Sequence, residues 1–340
     1  MRILLVMDPG ILVPPKGYGG HERLVEMFAK QYLKMGHQVH LLVTKGSQVE
    51  GCTVFSLGKE GFPPKKFNAL LAILKAWYFL FKNRNKYDVI HNFGRLAYLL
   101  PILNLSINKI MTYGRAIDKK NILIINKLPF KNIFFTGCSQ HLINEVKEIG
   151  NWKPIFNAID FEKYKLVNHL SEEAPLIFLG RIEKIKGCHI AIQVAKATNQ
   201  RLIIAGNISP LIEEQLYFKN EIEPYIDGLQ IQYVGSVNDI EKNSLLGSAK
   251  ALLFPINWEE PFGMVMVEAM ACGTPVIAFN RGSVPEVIDQ NISGIIVHDV
   301  NQMINAVNLI HLFDRQNCRM NSYKKFDVSI IANEYLNSFF

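Results

Sequence analysis

The sequence predicts an α/β protein built from two doubly wound, Rossmann-like domains facing a central cleft. Three observations predict it. Short apolar, strand-like runs alternate with helical patterns along the whole chain, the mark of parallel βαβ units. The chain has 340 residues, too many for one ordinary core, so two domains are expected. Hydrophobic residues make up 49%, enough to fill large parallel sheets buried on both faces.

The first strand is Arg2–Met7. It is too short for a signal peptide and lacks a cleavage site. A helix follows from near His21 to about Met35, ending before Gly36. Further strands are expected at Gln38–Thr44, Cys52–Ser56, Val89–His91, Lys109–Tyr113 and Ile133–Cys138. The segment from Asn151 to Asp160 contains Pro154 and reads as a hinge, which sets a first domain at 1–156. The second domain, 157–325, restarts with strands at Leu176–Gly180, Arg201–Ala205, Ile231–Val234, Ala251–Pro255, Val276–Phe279 and Gly294–Val297. A last apolar helical pattern covers about 326–340.

Charge is unevenly placed. Residues 1–156 carry 22 Lys+Arg against 9 Asp+Glu, a net of +13, and the remainder nets −6. A basic half beside an acidic half implies different partners for the two. Nucleic acid is not expected, because no RNP motif, zinc-finger spacing or long basic arm is present. The five cysteines, at 52, 138, 188, 272 and 318, are odd in number and never spaced C-x-x-C. They read as reduced thiols of a cytoplasmic protein. No apolar run reaches the roughly 18 residues of a membrane span.

The most informative stretch is Glu260-Pro-Phe-Gly-Met-Val-Met-Val-Glu268, running on into Ala-Met-Ala-Cys-Gly-Thr-Pro275. It lies between two strand-like runs, so a helix starts near Gly263 just past a strand end. Such a helix start presents free N–H groups and a positive dipole end to an anion. Phe262, Gly263, Met264 and Val265 would supply the amides, and Gly263 permits close approach. Glu260 sits in the loop ahead, while Glu268 leans back from the second helical turn. The two carboxylates suit a sugar nucleotide, with a hexose near Glu260, phosphate at the amides and ribose hydroxyls at Glu268.

At these residues the chain resembles the retaining glycosyltransferases of family 4, which have the GT-B fold. Two glutamates separated by seven residues are that family's signature, and Pro285-Glu286-Val287 and the flanking residues also match. Gly180-Arg181, four residues, then Lys186-Gly187 repeats the family's spacing; carried over, Arg181 and Lys186 grip the donor diphosphate. Tyr18-Gly19-Gly20-His21-Glu22 resembles the family's Gly-Gly-x-Glu loop, which approaches the sugar phosphate and the acceptor and places Gly19 and Gly20 at the donor. Asn157-Ala-Ile-Asp160 resembles the motif after the interdomain linker, and the terminal helix resembles the tail that crosses back onto the first domain. A dinucleotide site is not expected at the first loop, which lacks Gly-x-Gly-x-x-Gly and an acidic ribose ligand. No Asp-x-Asp is present to hold a divalent metal. The resemblance therefore implies a metal-independent hexosyltransferase without a cofactor, moving a hexose from a nucleotide sugar, UDP-glucose or another UDP-hexose, to a hydroxyl acceptor.

The chain departs from the family where many members carry a histidine after the fifth strand. Here Ile110-Met-Thr112-Tyr113-Gly114-Arg115 puts Gly114 in that place. Arg115, or His91 across the strand ends, is expected to fill the space and take the catalytic contacts. His91 matches the family's Asp-x-x-His; it reads either as a cleft-lining residue or as a satisfied buried group. Phe62 to Lys86 holds an apolar helical stretch with Trp77 and flanking lysines. It reads as a helix in the headgroup region of an anionic membrane, on the inner face of the cytoplasmic membrane, or as a core helix with snorkelling lysines. Rival readings of the whole are a nucleotide-sugar epimerase, a glycosyl phosphorylase and a non-catalytic sugar-nucleotide-binding protein.

Overall fold

A computed structural model describes residues 1–16, 19–61, 65–338 of the chain. It divides into two compact units, Met1–Ile159 with Val328–Phe340, and Asp160–Asp327. Tyr18 and the Phe62-Pro-Pro segment lie outside the described residues.

The first unit is a seven-stranded sheet, β1 (Arg2–Val6), β2 (Gln38–Thr44), β3 (Thr53–Gly58), β4 (Val89–Asn92), β5 (Asn108–Tyr113), β6 (Ile133–Gly137) and β7 (Trp152–Pro154). The order is β3-β2-β1-β4-β5-β6-β7, and the described pairs are all parallel. β1 is an interior strand, and Ile3, Leu4, Leu5 and Val6 have no exposed surface. Burial on both faces explains why it reads as an unbroken apolar run. Its helices are α1 (Gly20–Lys34), α2 (Lys66–Lys82), α3 (Lys119–Ile125), α4 (Gln140–Ile143) and, after the second unit, α12 (Val328–Asn337). On α1, Leu24, Val25, Phe28, Ala29 and Tyr32 recur at three- and four-residue spacing and are buried as one face.

β7 takes up the start of the segment that the sequence reads as a hinge, Asn151 to Asp160, and the two units divide at the end of that segment, between Ile159 and Asp160. It is an edge strand of three residues that ends in Pro154. So short a run has no readable period, and proline is tolerated at a sheet edge because no ladder donor is needed there.

The second unit has a six-stranded sheet, β8 (Leu176–Leu179), β9 (Leu202–Ala205), β10 (Ile231–Gly235), β11 (Ala251–Phe254), β12 (Val276–Phe279) and β13 (Gly294–Val297). Its order is β10-β9-β8-β11-β12-β13, again parallel. The helices are α5 (Cys188–Ala197), α6 (Ile212–Tyr217), α7 (Asp239–Ser248), α8 (Met264–Ala271), α9 (Val284–Val287), α10 (Val300–Leu309) and α11 (Arg315–Phe326). Strand order reverses between β8 and β11. The loops after those two strands therefore diverge to opposite faces and leave a crevice at their carboxyl ends, where open α/β sheets take ligands. α8 is apolar nearly all round, and Met266, Val267, Ala269, Met270 and Ala271 are buried. Arg315, from α11, is also buried; its guanidinium donates to the carbonyls of Gly247 (2.8 Å) and Ala249 (2.9 Å) and to Thr274 Oγ1 (2.7 Å). Those bonds tie the end of α7 to the turn after α8 and so anchor the far end of α8.

Candidate functional site

In the second unit, three loops meet at the carboxyl ends of β8, β11 and β12. Gly187 holds a left-handed φ of 76°, and a Cβ there would stand 2.0 Å from the Pro255 carbonyl oxygen. Only glycine allows that approach. The Asn257 amide donates to Ile185 O at 2.7 Å, which fastens the same two loops again. The Ser283 amide donates to Glu260 O at 2.9 Å and brings in the third loop.

This close seam sets the side chains. Lys186 Nζ lies 2.5 Å from Glu260 Oε2, with both side chains mostly buried, at 16% and 13% exposure. The same carboxylate oxygen accepts from Trp258 Nε1 at 2.9 Å, and the Lys186 ammonium sits 4.5 Å from the Trp258 ring centre. Lys186 is therefore held by an anion and an aromatic face together. Arg181 pairs with the buried carboxylate of Glu183 at 3.1 Å while 46% of its own side chain stays exposed. It thus keeps an open side toward solvent. Gly180 has nothing within 4 Å of its missing Cβ, so the backbone there is approachable.

Gly263 caps α8 with φ 78° and, having no side chain, supplies no side-chain cap to the helix start. Met264 and Val265 begin the helix half-buried, whereas the Phe262 side chain is buried and meets Phe326 edge-on at 5.8 Å. Phe262 can offer a ligand only its backbone. One turn on, Glu268 is ion-paired with Lys242 Nζ at 2.6 Å and accepts from Tyr164 Oη at 2.9 Å. Burial pulls the Lys242 ammonium down, and the Glu268 and Asp239 carboxylates more than offset it, so it sits above the usual lysine range. Burial, followed by the Glu268 charge, raises the Tyr164 phenol. Glu268 is thereby a fixed carboxylate with remaining acceptor capacity.

The first unit places the other candidates. Gly19 precedes α1 with φ 156°, and a Cβ there would stand 2.7 Å from Pro15 Cβ; Gly20 opens the helix and is exposed. Arg115 follows β5 with 73% of its side chain exposed, 3.9 Å from Asp8 Oδ2. Asp8 also meets Arg95 Nε at 3.5 Å and accepts from Tyr98 Oη at 2.7 Å.

His91 does not line an open site, contrary to the catalytic expectation. It is fully buried, with Nδ1 3.1 Å from Tyr32 Oη and Nε2 2.9 Å from Thr112 Oγ1. Phe93 stacks on the ring at 4.1 Å and Tyr335 closes over it at 4.5 Å. Burial drives its pKa well below the usual histidine value, so it is a neutral, satisfied core imidazole. The side chain that packs against Gly114 is instead that of His21: its Nε2 lies 1.9 Å from the place a Cβ on residue 114 would take.

Residues 160–325 match the family described as Glycosyl transferases group 1. The second unit belongs to that family. The chain is a glycosyltransferase that uses nucleotide-sugar donors, on a GT-B fold. Among sequence relatives, the alpha-1,3/1,6-mannosyltransferase ALG2 of Candida glabrata is 26% identical over 353 residues, covering 81% of this chain and 76% of that one. Among solved structures, AviGT4, a glycosyltransferase involved in avilamycin A biosynthesis, superposes with a TM-score of 0.74 at 22% identity, over 99% of this chain and 96% of that one. Anabaena HepE in complex with UDP-glucose gives 0.70 at 20% identity, over 99% and 100%.

Sequence reasoning missed Trp258, Glu183, Lys242 and Tyr164, which hold the predicted residues in place. Trp258, two residues before Glu260, and Glu183, two after Arg181, carried a signal in their positions. Lys242 and Tyr164 reach Glu268 from 26 and 104 residues away, so no local pattern marks them.

Proposed function

We propose that this group 1 glycosyltransferase is retaining and metal-independent, and moves a hexose from a UDP-hexose to a hydroxyl on a saccharide, a lipid-linked glycan or a small molecule. The observation that carries this reading is the joining of Arg181, Lys186 and the uncapped start of α8 on adjacent loops of one unit. Two cations and a helix N-terminus suit a diphosphate whose charge grows as the glycosidic bond breaks. They do the work a metal does elsewhere. Glu260, held by Lys186 and Trp258, orients hexose hydroxyls or supports positive charge at the anomeric carbon. The acceptor oxygen bonds to that carbon on the face the diphosphate leaves, and the acceptor proton passes to the departing phosphate oxygen. Glu268 holds the ribose. The UDP-glucose complex of HepE supports the donor, and the mannosyltransferase relative supports a hexose.

The reading is tested by a thermal-shift panel of nucleotide sugars, followed by turnover of the best donor with and without EDTA. UDP-hexoses should give the largest shifts, EDTA should leave the rate unchanged, and NMR should show the donor's anomeric configuration in the product. Inverted product sinks the retaining course. Loss of the donor in the absence of any acceptor, with a new sugar isomer formed, points to an epimerase instead.

A second reading concerns where the acceptor lies. On α2, only Ala72, Ala76 and Leu80 are buried. Phe67, Leu70, Leu74, Tyr78 and Phe81 are exposed by 48–69%. Beside them a groove of about 660 Å³ runs from α2 to β2 and β3, mostly apolar and rimmed by Lys45, Lys59 and Lys75. An apolar helix face edged with lysines, on a basic half-chain, suits an anionic lipid surface. Trp77 is not part of that face, contrary to the sequence reading. Its indole donates inward to Ala97 O at 2.7 Å. No described helix is long and apolar enough to cross a membrane. The protein should sediment with anionic vesicles at low salt and come off as salt rises, because screening weakens the lysines' attraction. Failure to bind such vesicles at any salt concentration would favour an acceptor free in solution.

A further inference from the structure

At the carboxyl ends of β1, β4 and β5 the first unit gathers Asp8, His21, Glu22, Arg95 and Arg115. The sequence reading assigns no chemistry to His21. Its ring rises from the first turn of α1 and rests on the backbone of Gly114, at the end of β5. With Nε2 1.9 Å from the place a Cβ would take, and both neighbouring ring carbons at 2.9 Å, any side chain at 114 would displace it. The imidazole and the glycine are therefore a fitted pair.

The ring is only partly covered, and among the described residues no hydrogen bond engages either nitrogen. That contrasts with His91, whose two nitrogens are both satisfied within the core. Burial lowers the His21 pKa, the Arg115 charge lowers it further, and Asp8 opposes them. Glu22, next to it, is raised by burial above the usual carboxylate value. At neutral pH the imidazole is thus uncharged, with one donor and one acceptor nitrogen. An uncharged ring with unused bonding capacity, at strand ends where open α/β sheets take ligands, is built to meet a polar ligand atom.

We propose that His21, seated in the notch left by Gly114, accepts a hydrogen bond from the attacking hydroxyl of the acceptor and so sets its approach. This rests on the reading of the chain as a transferase to a hydroxyl acceptor. His21 aligns the hydroxyl; its proton still leaves with the departing phosphate oxygen. Misplacement of a reacting group by about an ångström costs on the order of a hundredfold in rate.

The test is a double-mutant cycle on acceptor turnover, with UDP affinity followed by calorimetry. His21→Ala should lower kcat/KM for the acceptor by about a hundredfold and leave UDP affinity unchanged. Gly114→Ala should cost about as much, because it pushes the ring away. In the His21→Ala background the same Gly114→Ala should cost almost nothing, since no ring remains to displace. His21→Gln, which keeps an acceptor atom, should recover part of the loss. Equal losses from Gly114→Ala with and without His21 would overturn the pairing. Undiminished transfer by His21→Ala would overturn the role.

A ring-proton NMR titration needs no turnover. His21 should titrate below 6.5 in the wild type and move up toward 6.5 in Gly114→Ala as the ring reaches solvent. A wild-type titration at 6.5 that Gly114→Ala leaves in place would overturn the notch itself. Wild-type protein that transfers no sugar to any acceptor would overturn the acceptor role together with the function it rests on. That outcome differs from wild-type and His21→Ala proteins transferring equally well, which overturns the inference alone.

Discussion

Arg181→Ala and Lys186→Ala are each expected to lower the rate of sugar transfer by about a hundredfold or more. Each removes a cation from where the leaving diphosphate gathers charge. The two should nevertheless differ in kind. Arg181 keeps nearly half its side chain exposed and leans on the buried Glu183, so its loss leaves one carboxylate unpaired at the edge of the site. Lys186 is mostly buried against Glu260 and the Trp258 ring. Its alanine variant strips the Glu260 carboxylate of its counter-charge in a poorly hydrated place, which costs about 3–5 kcal/mol when a buried pair is broken. Lys186→Ala should therefore melt at a lower temperature than Arg181→Ala, besides turning over slowly. Steady-state kinetics with a melting curve on each variant separate the two effects. A loss confined to donor KM, with kcat kept, would show that these cations bind the ground state as tightly as the transition state, and the proposed role would be wrong.

Glu268→Ala is expected to weaken UDP binding by about tenfold to a hundredfold, the worth of one charge-assisted hydrogen bond at ~1.5–3 kcal/mol. Turnover at saturating donor should change little, because ribose contacts persist from the bound substrate to the transition state. The carboxylate is poised by Lys242 at 2.6 Å and by the Tyr164 hydroxyl at 2.9 Å. Lys242→Met should accordingly reproduce part of the loss without touching the ligand, since it frees Glu268 to swing. Calorimetry with UDP alone reads both. Unaltered UDP affinity in Glu268→Ala would move the ribose elsewhere.

The alternation of strands and helices and the pairing of Glu260 with the start of α8 were legible in the sequence because both are local. A strand buried on two faces is written as a short apolar run, and a helix start past a strand end is marked by Gly263 within a few residues. The resemblance that identified Arg181 and Lys186 likewise rests on contiguous motifs. What escaped is non-local. Trp258 and Lys186 meet only because Gly187 lets two loops close on each other. The fate of His91 could not be read from β4, since burial comes from Tyr32 on α1 and Tyr335 on α12, at opposite ends of the chain. The space beside Gly114 was legible as a vacancy, but its occupant comes from 93 residues earlier, where His21 sat inside a motif read for its glycines. β7 escaped for a different reason, as three residues cannot display a period.

The placement of α12 bears on how the protein is made. Tyr335, with 1% exposure, seals the ring cluster of Phe28 and His91, so the core of the first unit waits for residues synthesised some 170 positions after its last sheet strand. Between them lies the whole second unit, Asp160–Asp327, which is continuous in sequence. The usual order, in which the N-terminal domain matures first on the ribosome, is thereby reversed. The second unit can reach its native state while the first still lacks its lid. During that interval a sheet of parallel strands, slow to form by its topology, stands with an aromatic face uncovered. A released chain cut off shortly before residue 328 would hold a complete second unit tethered to an unfinished first one, open to chaperones and proteases alike.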